Sequence, residues 1–209
     1  MSACDFWWLT LTGKGGHGAM PQDTIDPIAA GASLVNSLQS IVSREIVPME
    51  PSVLSVCSFN SGSSHNVIPG EAKLAGTTRC FDSETQKLFP KRMERIIKGT
   101  CDAYRLTYNL EYQMGTLPVN NDPACSARAE RAVAKLLPDG NVDLPPFTSG
   151  EDFSYYLQEK PGLLAFVGGG KLEGEVYPHH HEKFDIDEES IINGVGFFVQ
   201  YILESMDEL

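Results

Sequence analysis

The chain has 209 residues, 42% hydrophobic and 21% charged, which allows one large domain or two small ones with a real core. Its formal charge of -12 argues against a nucleic-acid or anionic-membrane partner, since both require a basic face. No apolar run approaches the roughly 18 residues of a membrane span. Residues 1–11 lack the basic start and cleavage site of a secretory signal, and read as the lead-in to a strand.

The first strand is expected over residues 5–12, where Phe6, Trp7, Trp8, Leu9 and Leu11 supply apolar bulk and Thr10 and Thr12 fit β structure. Four glycines in the six residues from Gly13 to Gly18 then demand a loop with close backbone approach, and His17 sits inside it. A helix follows over 26–44, capped by Asp26 with Pro27 at its first position. Ile28, Ala32, Val35, Leu38 and Val42 mark its apolar face. Residues 52–60 form a second strand, with Val53, Ser55, Cys57 and Phe59 on one side and Leu54 and Val56 on the other. Two partly apolar faces suggest a central strand. A turn-rich loop carries His65 and Asn66, and a third strand covers 71–81. The second helix runs over 83–105 from a cap at Ser83, with Leu88, Met93, Ile96, Ile97 and Cys101 inward. The alternation of Leu106, Tyr108, Leu110, Tyr112 and Met114 makes a fourth strand. The order β-α-β-β-α-β over 5–115 predicts a ferredoxin-like unit, one antiparallel sheet with two helices on one face.

Beyond residue 115 the pattern changes. Helices are expected over 124–137 and 188–204, with a short one ending near Leu157. The closing helix offers Ile191, Ile192, Val195, Phe198, Val199 and Ile202 as a core face. Only residues 163–167 read as a buried strand, and one strand makes no sheet. Residues 116–209 therefore resemble a portion of an α/β domain whose other strands lie elsewhere.

Several residues invite chemistry. The adjacent imidazoles of His179, His180 and His181, followed by Glu182, Asp185 and Asp187, are a dense patch of metal-ligand types, or an exposed loop with no specific task. His17 is either a rigid donor to a developing oxyanion or a loop histidine. Asn66 offers both donor and acceptor, or simply forms a turn. Arg79 can grip a carboxylate with two parallel bonds, or end a strand at the surface. Glu151 and Asp152 complement a helix N-terminus. The five cysteines, an odd number without a C-x-x-C pair, read as reduced thiols packed mostly as small hydrophobes in a cytoplasmic protein.

Four stretches in order carry a resemblance: Gly13-Lys14-Gly15-Gly16-His17-Gly18-Ala19-Met20-Pro21, Asn66-Val67-Ile68-Pro69-Gly70, Gly150-Glu151-Asp152-Phe153, and His180 four residues before Phe184-Asp185. Together they resemble the zinc-dependent amidohydrolases that cleave N-acyl amino acids, in the aminoacylase and carboxypeptidase-like group of metallopeptidases. The hippurate and indole-acetyl amino acid hydrolases are the nearest branch. The resemblance covers about residues 5–205. It implies an α/β catalytic domain holding two divalent metals, with zinc expected, and an inserted ferredoxin-like lid that forms a homodimer. It further implies that His180 is a metal ligand, that His17 polarises the scissile carbonyl, and that Asn66, Arg79, Gly150 and Glu151 stand on the substrate side. The substrate implied is a small N-acyl amino acid or peptide. The resemblance also implies metal-binding cysteine and histidines, and a general-base glutamate, in a segment ahead of the lid for which this sequence has no counterpart. The expectation is thus a lid plus the C-terminal part of a catalytic domain, inactive by itself. Two readings compete: a non-catalytic dimerisation module, and a ligand-sensing ferredoxin-like domain that accounts for 5–115 only.

Overall fold

The computed structural model describes residues 1–171 and 173–206, so the predicted second part ends outside the described residues at 207–209. The elements in chain order are β1 (Ala3–Thr12), β2 (Gly16–His17), α1 (Pro27–Ser40), β3 (Ser52–Ser61), β4 (Val67–Ile68), β5 (Glu71–Cys80), α2 (Ser83–Tyr104), β6 (Thr107–Thr116), α3 (Pro123–Leu136), α4 (Tyr156–Glu159) and α5 (Glu189–Met206). They divide into two compact units. One is Met1–Val119 with Pro146–Tyr155; the other is Asn120–Pro145 with Tyr156–Leu209. The segment 146–155 thus returns to the first unit, where the Ser2 amide donates to the Phe147 carbonyl at 3.0 Å and the Tyr155 hydroxyl to the Gly115 carbonyl at 2.9 Å.

The first unit is an antiparallel sheet in the order β3-β5-β1-β6. Alternation along β1 sends Ala3, Trp7, Leu9 and Leu11 into the core, while Phe6 and Trp8 face outward. Leu34, Leu38 and Ile41 from the first helical stretch meet them, with Phe89, Met93 and Ile97 of α2. Asp26 caps α1 by accepting from the Ile28 amide at 2.8 Å and the Ala29 amide at 3.3 Å. Asp82, not Ser83, caps α2, accepting from the Thr85 amide at 2.7 Å.

Three sequence expectations fail here for identifiable reasons. The inward face of α1 is Ala30, Gly31, Leu34 and Leu38, rotated from the predicted one, so Ile28 is largely exposed. Small residues bring the helix close to the sheet: a Cβ on Gly31 would lie 2.6 Å from the Phe59 ring. Strand β3 is an edge strand, not a central one. A bulge at Cys57 shifts its register from Val56 opposite Gly76 to Ser58 opposite Ala75, which turns Phe59 to the helix side instead of leaving it with Val53. A second irregularity in β6, between the pairs at Cys4 and Phe6, turns Met114 outward.

The second unit packs α3 on α5. Cys125, Ala129 and Ala132 of α3 are buried, and Glu204 of α5 is held by Lys135 and, at 3.6 Å, by Arg131. The predicted core face of α5 is not covered: Ile191, Ile192, Val195, Phe198, Val199 and Ile202 are all more than half exposed. Residues 163–167 form no strand. Their backbone is served by a side chain instead, because Asn121 donates to the Leu164 carbonyl at 3.0 Å and accepts from the Leu164 amide at 2.9 Å.

Candidate functional site

The glycine-rich loop folds onto the segment that follows β3. Gly16 pairs with Ile68 and His17 with Val67, and the Gly18 amide donates to the Asn66 carbonyl at 2.8 Å. A Cβ on Gly15 would stand 2.8 Å from the Ile68 carbonyl oxygen, and one on Gly18 would stand 3.0 Å from the Asn66 oxygen. Only glycine permits that approach. The result is a two-stranded clip that brings the backbones of His17 and Asn66 together, although 48 residues lie between them in sequence.

Both side chains are exposed, and each has one polar atom already committed. The His17 Nδ1 accepts from the Ala19 amide at 3.1 Å, so the proton of the neutral ring sits on Nε2. The Asn66 Oδ1 accepts from the Ser64 hydroxyl at 2.8 Å, which leaves its NH2 group outward. Among the described residues neither His17 Nε2 nor Asn66 Nδ2 has a partner. Each side chain therefore keeps one donor uncommitted, the Nε2–H of His17 and the NH2 group of Asn66.

Arg79 lies elsewhere in the same unit. It sits near the far end of β5, roughly 25 Å along the strand from Glu71, which follows the clip. Its Nη1 donates to the Thr78 carbonyl at 2.8 Å and the Asp5 carbonyl at 3.4 Å, and to the Thr77 hydroxyl, and its guanidinium lies 5.7 Å over the Phe6 ring. Arg79 pairs in register with Cys4, and Gly150 packs against the same residue: a Cβ there would meet the Cys4 Cβ at 2.6 Å. Glu151 folds back on its own loop, its Oε1 accepting from the Phe153 amide at 3.3 Å. So Arg79, Gly150 and Glu151 gather at one end of the sheet, and His17 and Asn66 at the other.

That Arg79 end contains a buried group the sequence did not advertise. Asp5 is 1% exposed. Its carboxylate accepts from Gln86 Nε2 at 2.7 Å, the Tyr112 hydroxyl at 2.8 Å and the Gly115 amide at 2.9 Å. Burial pushes the Tyr112 phenol well above its ordinary value. The alternation of strand residues gives Asp5 an inward position; no local signal announces its partners, which come, with the Thr78 hydroxyl at 3.5 Å, from sites 73 to 110 residues away.

In the second unit the three histidines are not equivalent. The His181 ring stacks on Tyr177 at 4.5 Å and its Nδ1 accepts from the Lys183 amide at 3.1 Å. His179 meets the Phe184 ring edge-on at 5.1 Å. His180 makes neither kind of contact and stands in the left-handed region, φ 68°, which a side chain with a Cβ adopts at a cost. Asp185 is tied to Lys171, and that hydrogen bond holds its carboxyl below the usual range. Among the described residues no group of three His, Cys, Asp or Glu is placed to hold a metal ion. His180 alone does not make a zinc site, which takes three or four protein ligands.

Sequence comparison matches residues 5–105 to the M20 peptidase dimerisation domain. The N-acetyl-L-cysteine deacetylase of Bacillus subtilis (strain 168) is 35% identical over 207 residues, 99% of this chain and 49% of that protein. The N-acyl-L-amino acid amidohydrolase of Geobacillus stearothermophilus is 46% identical over 139 residues, 65% of this chain and 38% of that protein. Among solved structures, the YXEP protein of Bacillus subtilis, described as a dinuclear metal binding peptidase from the M20 family, superposes with a TM-score of 0.79 at 27% identity, over 100% of this chain and 51% of that one. The chain spans about half the length of the curated relatives it matches.

Proposed function

Since the chain belongs to the M20 peptidase family, with a dimerisation domain at residues 5–105, we propose that it forms part of a metal-dependent amidohydrolase cleaving the amide bond of N-acyl amino acids or small peptides. The observation that carries this reading is the clip, which joins the backbones that bear His17 and Asn66 and leaves an uncommitted donor on each exposed side chain. His17 Nε2–H donates to the oxygen on which charge develops when the amide carbon is attacked. Asn66 orients the substrate beside it. Arg79, with Nε and Nη2 still available, acts with Gly150 and Glu151 as a second substrate-side group. His180 serves as one ligand in a site for two divalent ions, zinc by preference. When bound, such ions supply Lewis-acid polarisation and an activated water.

Hydrolysis then requires metal ligands and a base beyond those this chain brings together. We place the protein in the cytoplasm, a setting that the five free thiols support. No helix among the described residues is long and apolar enough to cross a membrane. The lid forms a homodimer, and β3 is the favoured edge: ten residues without one charge, unlike the guarded edges of monomeric sheets.

A second reading, a dimerisation module with no chemistry of its own, is favoured by the lack of a three-ligand cluster among the described residues. One preparation tests both against a chain that is a complete enzyme by itself. The chelator-stripped chain is loaded with zinc, desalted, and assayed for bound metal, mass and hydrolysis of N-acetyl amino acids. A dimer holding well under one zinc and showing no hydrolysis fits a lid that needs further ligands. One or two tightly held ions with turnover would overturn that requirement. A monomer would remove the dimer, and a Cys57→Lys change that leaves the dimer intact would remove β3 as its edge.

A further inference from the structure

We infer that Thr24 is a positioning residue for His17, through a fit between its methyl group and Gly16 that fixes the backbone just ahead of the imidazole. The inference rests on the proposal that His17 faces substrate. Glycine neighbours leave a residue free to swing unless something else holds them, and His17 stands between Gly16 and Gly18. Gly18 is held by the backbone, through its amide on the Asn66 carbonyl at 2.8 Å. Gly16 is different. A Cβ added to Gly13, Gly15 or Gly18 would strike a main-chain oxygen, but one added to Gly16 would meet a single atom within 4 Å, the Thr24 methyl carbon at 2.7 Å. Gly16 has no positive φ either. Within that reach, only the Thr24 methyl keeps a side chain out of position 16.

That methyl cannot turn aside. Thr24 is 4% exposed, and its hydroxyl donates to the Pro21 carbonyl at 2.8 Å, so a new rotamer would break the bond and leave a buried hydroxyl unpaired. The segment that carries it starts from His17 itself. The Met20 amide donates to the His17 carbonyl at 2.9 Å, the turn closes at Thr24, and Ile25 and Lys14 exchange two backbone bonds of 2.9 Å. Arg105, just past the end of α2, donates to the Thr24 carbonyl at 3.4 Å. Residues 20–25 thus leave His17 and return to pack on Gly16. The frame they close keeps residues 16–19 in the geometry that lets the Ala19 amide reach His17 Nδ1 at 3.1 Å. Removing the methyl opens a gap beside Gly16, and the imidazole loses its fixed direction.

The test exchanges the methyl across the contact, in the 13C,15N-labelled chain. Three-bond couplings to the His17 Cγ read whether the ring keeps one rotamer. N-acetylglycine is the probe, with the His17 Nε2 and Asn66 Nδ2 resonances followed during titration. In the native chain the couplings are those of one rotamer and both resonances move. Thr24→Ser keeps the hydroxyl and loses the methyl; its couplings fall to averaged values, and probe binding weakens about threefold to tenfold, the range of one ordinary hydrogen bond. Gly16→Ala, too full where Thr24→Ser is too empty, shows the same loss. The double variant Gly16→Ala/Thr24→Ser puts a methyl back from the other side and restores both readings. Backbone resonances of Trp7, Leu9 and Leu11 stay in place throughout, which separates a misplaced His17 from an unfolded sheet. Single-rotamer couplings and native affinity in Thr24→Ser overturn the role of Thr24 while the substrate-facing reading stands. A double variant no better than Thr24→Ser overturns the methyl fit. A probe that leaves His17 unmoved in the native chain overturns both the inference and the reading beneath it.

Discussion

Asp5 is buried and its carboxylate accepts from Gln86, Tyr112, Gly115 and, at 3.5 Å, Thr78, so its removal leaves the Gly115 N–H and one Gln86 N–H without a partner in the interior, while Tyr112 keeps Thr78 at 2.7 Å and Gln86 keeps the Thr116 carbonyl. Each orphaned group is costly on its own. Asp5→Ala is expected to lower unfolding free energy by about 3 kcal/mol or more, read from urea midpoints, with Asp5→Asn losing less because it keeps an acceptor. His180 makes the opposite case. Its left-handed backbone suits glycine, and its ring is not engaged with Tyr177 or Phe184 as its neighbours are. His180→Gly should be more stable than His180→Ala by about 1 kcal/mol, measured by the same denaturation. A strained backbone is what an imidazole kept for a ligand would tolerate, and that is the reason to look for metal there.

At the scale of elements, the clip depends on the close approach of Gly15 and Gly18. In Gly15→Ala the new Cβ would stand 2.8 Å from the Ile68 backbone oxygen, close enough to push β2 from β4. The expected outcome is loss of the paired responses of His17 and Asn66 to N-acetylglycine while the resonances of Trp7, Leu9 and Leu11 stay in place. Much of this was legible beforehand. The period of β6 placed Leu106, Tyr108, Leu110 and Tyr112 inward, but also Met114, which is exposed. That of α2 placed Met93, Ile97 and Cys101 but took exposed Leu88 in place of buried Phe89. The glycines around His17 announced a close backbone approach. The rotated face of α1 was not legible, because large side chains outweigh Ala30 and Gly31 in any apolar count, yet it is the small ones that admit Phe59. The edge position of β3 was hidden by the bulge at Cys57, which mixes its two faces. Ser64 was within reach as a serine two residues from an asparagine; the Ala19 contact was not, since a backbone amide carries no sequence signature.

Across the whole molecule, the thiols and phenols of the lid tie stability to alkaline pH. Burial pushes Cys80 up to about 12 and Cys101 up to about 11, from an ordinary 9.0, and raises Tyr112 from 10.0. Each keeps its proton in the fold to a higher pH than in the unfolded chain, so the folded state binds more protons above pH 9. Their contribution is complete below about 9 and is lost as pH rises toward 12. Urea midpoints should be flat from pH 7 to 8.5 and fall beyond 9.5. Replacing Cys80 and Cys101 with Ala should flatten that descent. The second unit shows a different whole-molecule property. Its apolar α5 face makes it a surface built for cover, and contiguous exposed patches of that kind mark interaction sites.

The place of β1 in the sheet has a consequence for biosynthesis. It is one of the two inner strands, flanked by β5 and β6, yet it is made before either. A ribosome adding about 5–20 residues per second needs roughly 5 to 20 seconds to go from Thr12 to Thr116. Throughout that interval Trp7, Leu9 and Leu11 wait for the neighbours that will bury them. The nascent lid must therefore be sheltered, or held by α1 and β3 in a provisional packing, until the last strand emerges and closes the sheet on its oldest segment.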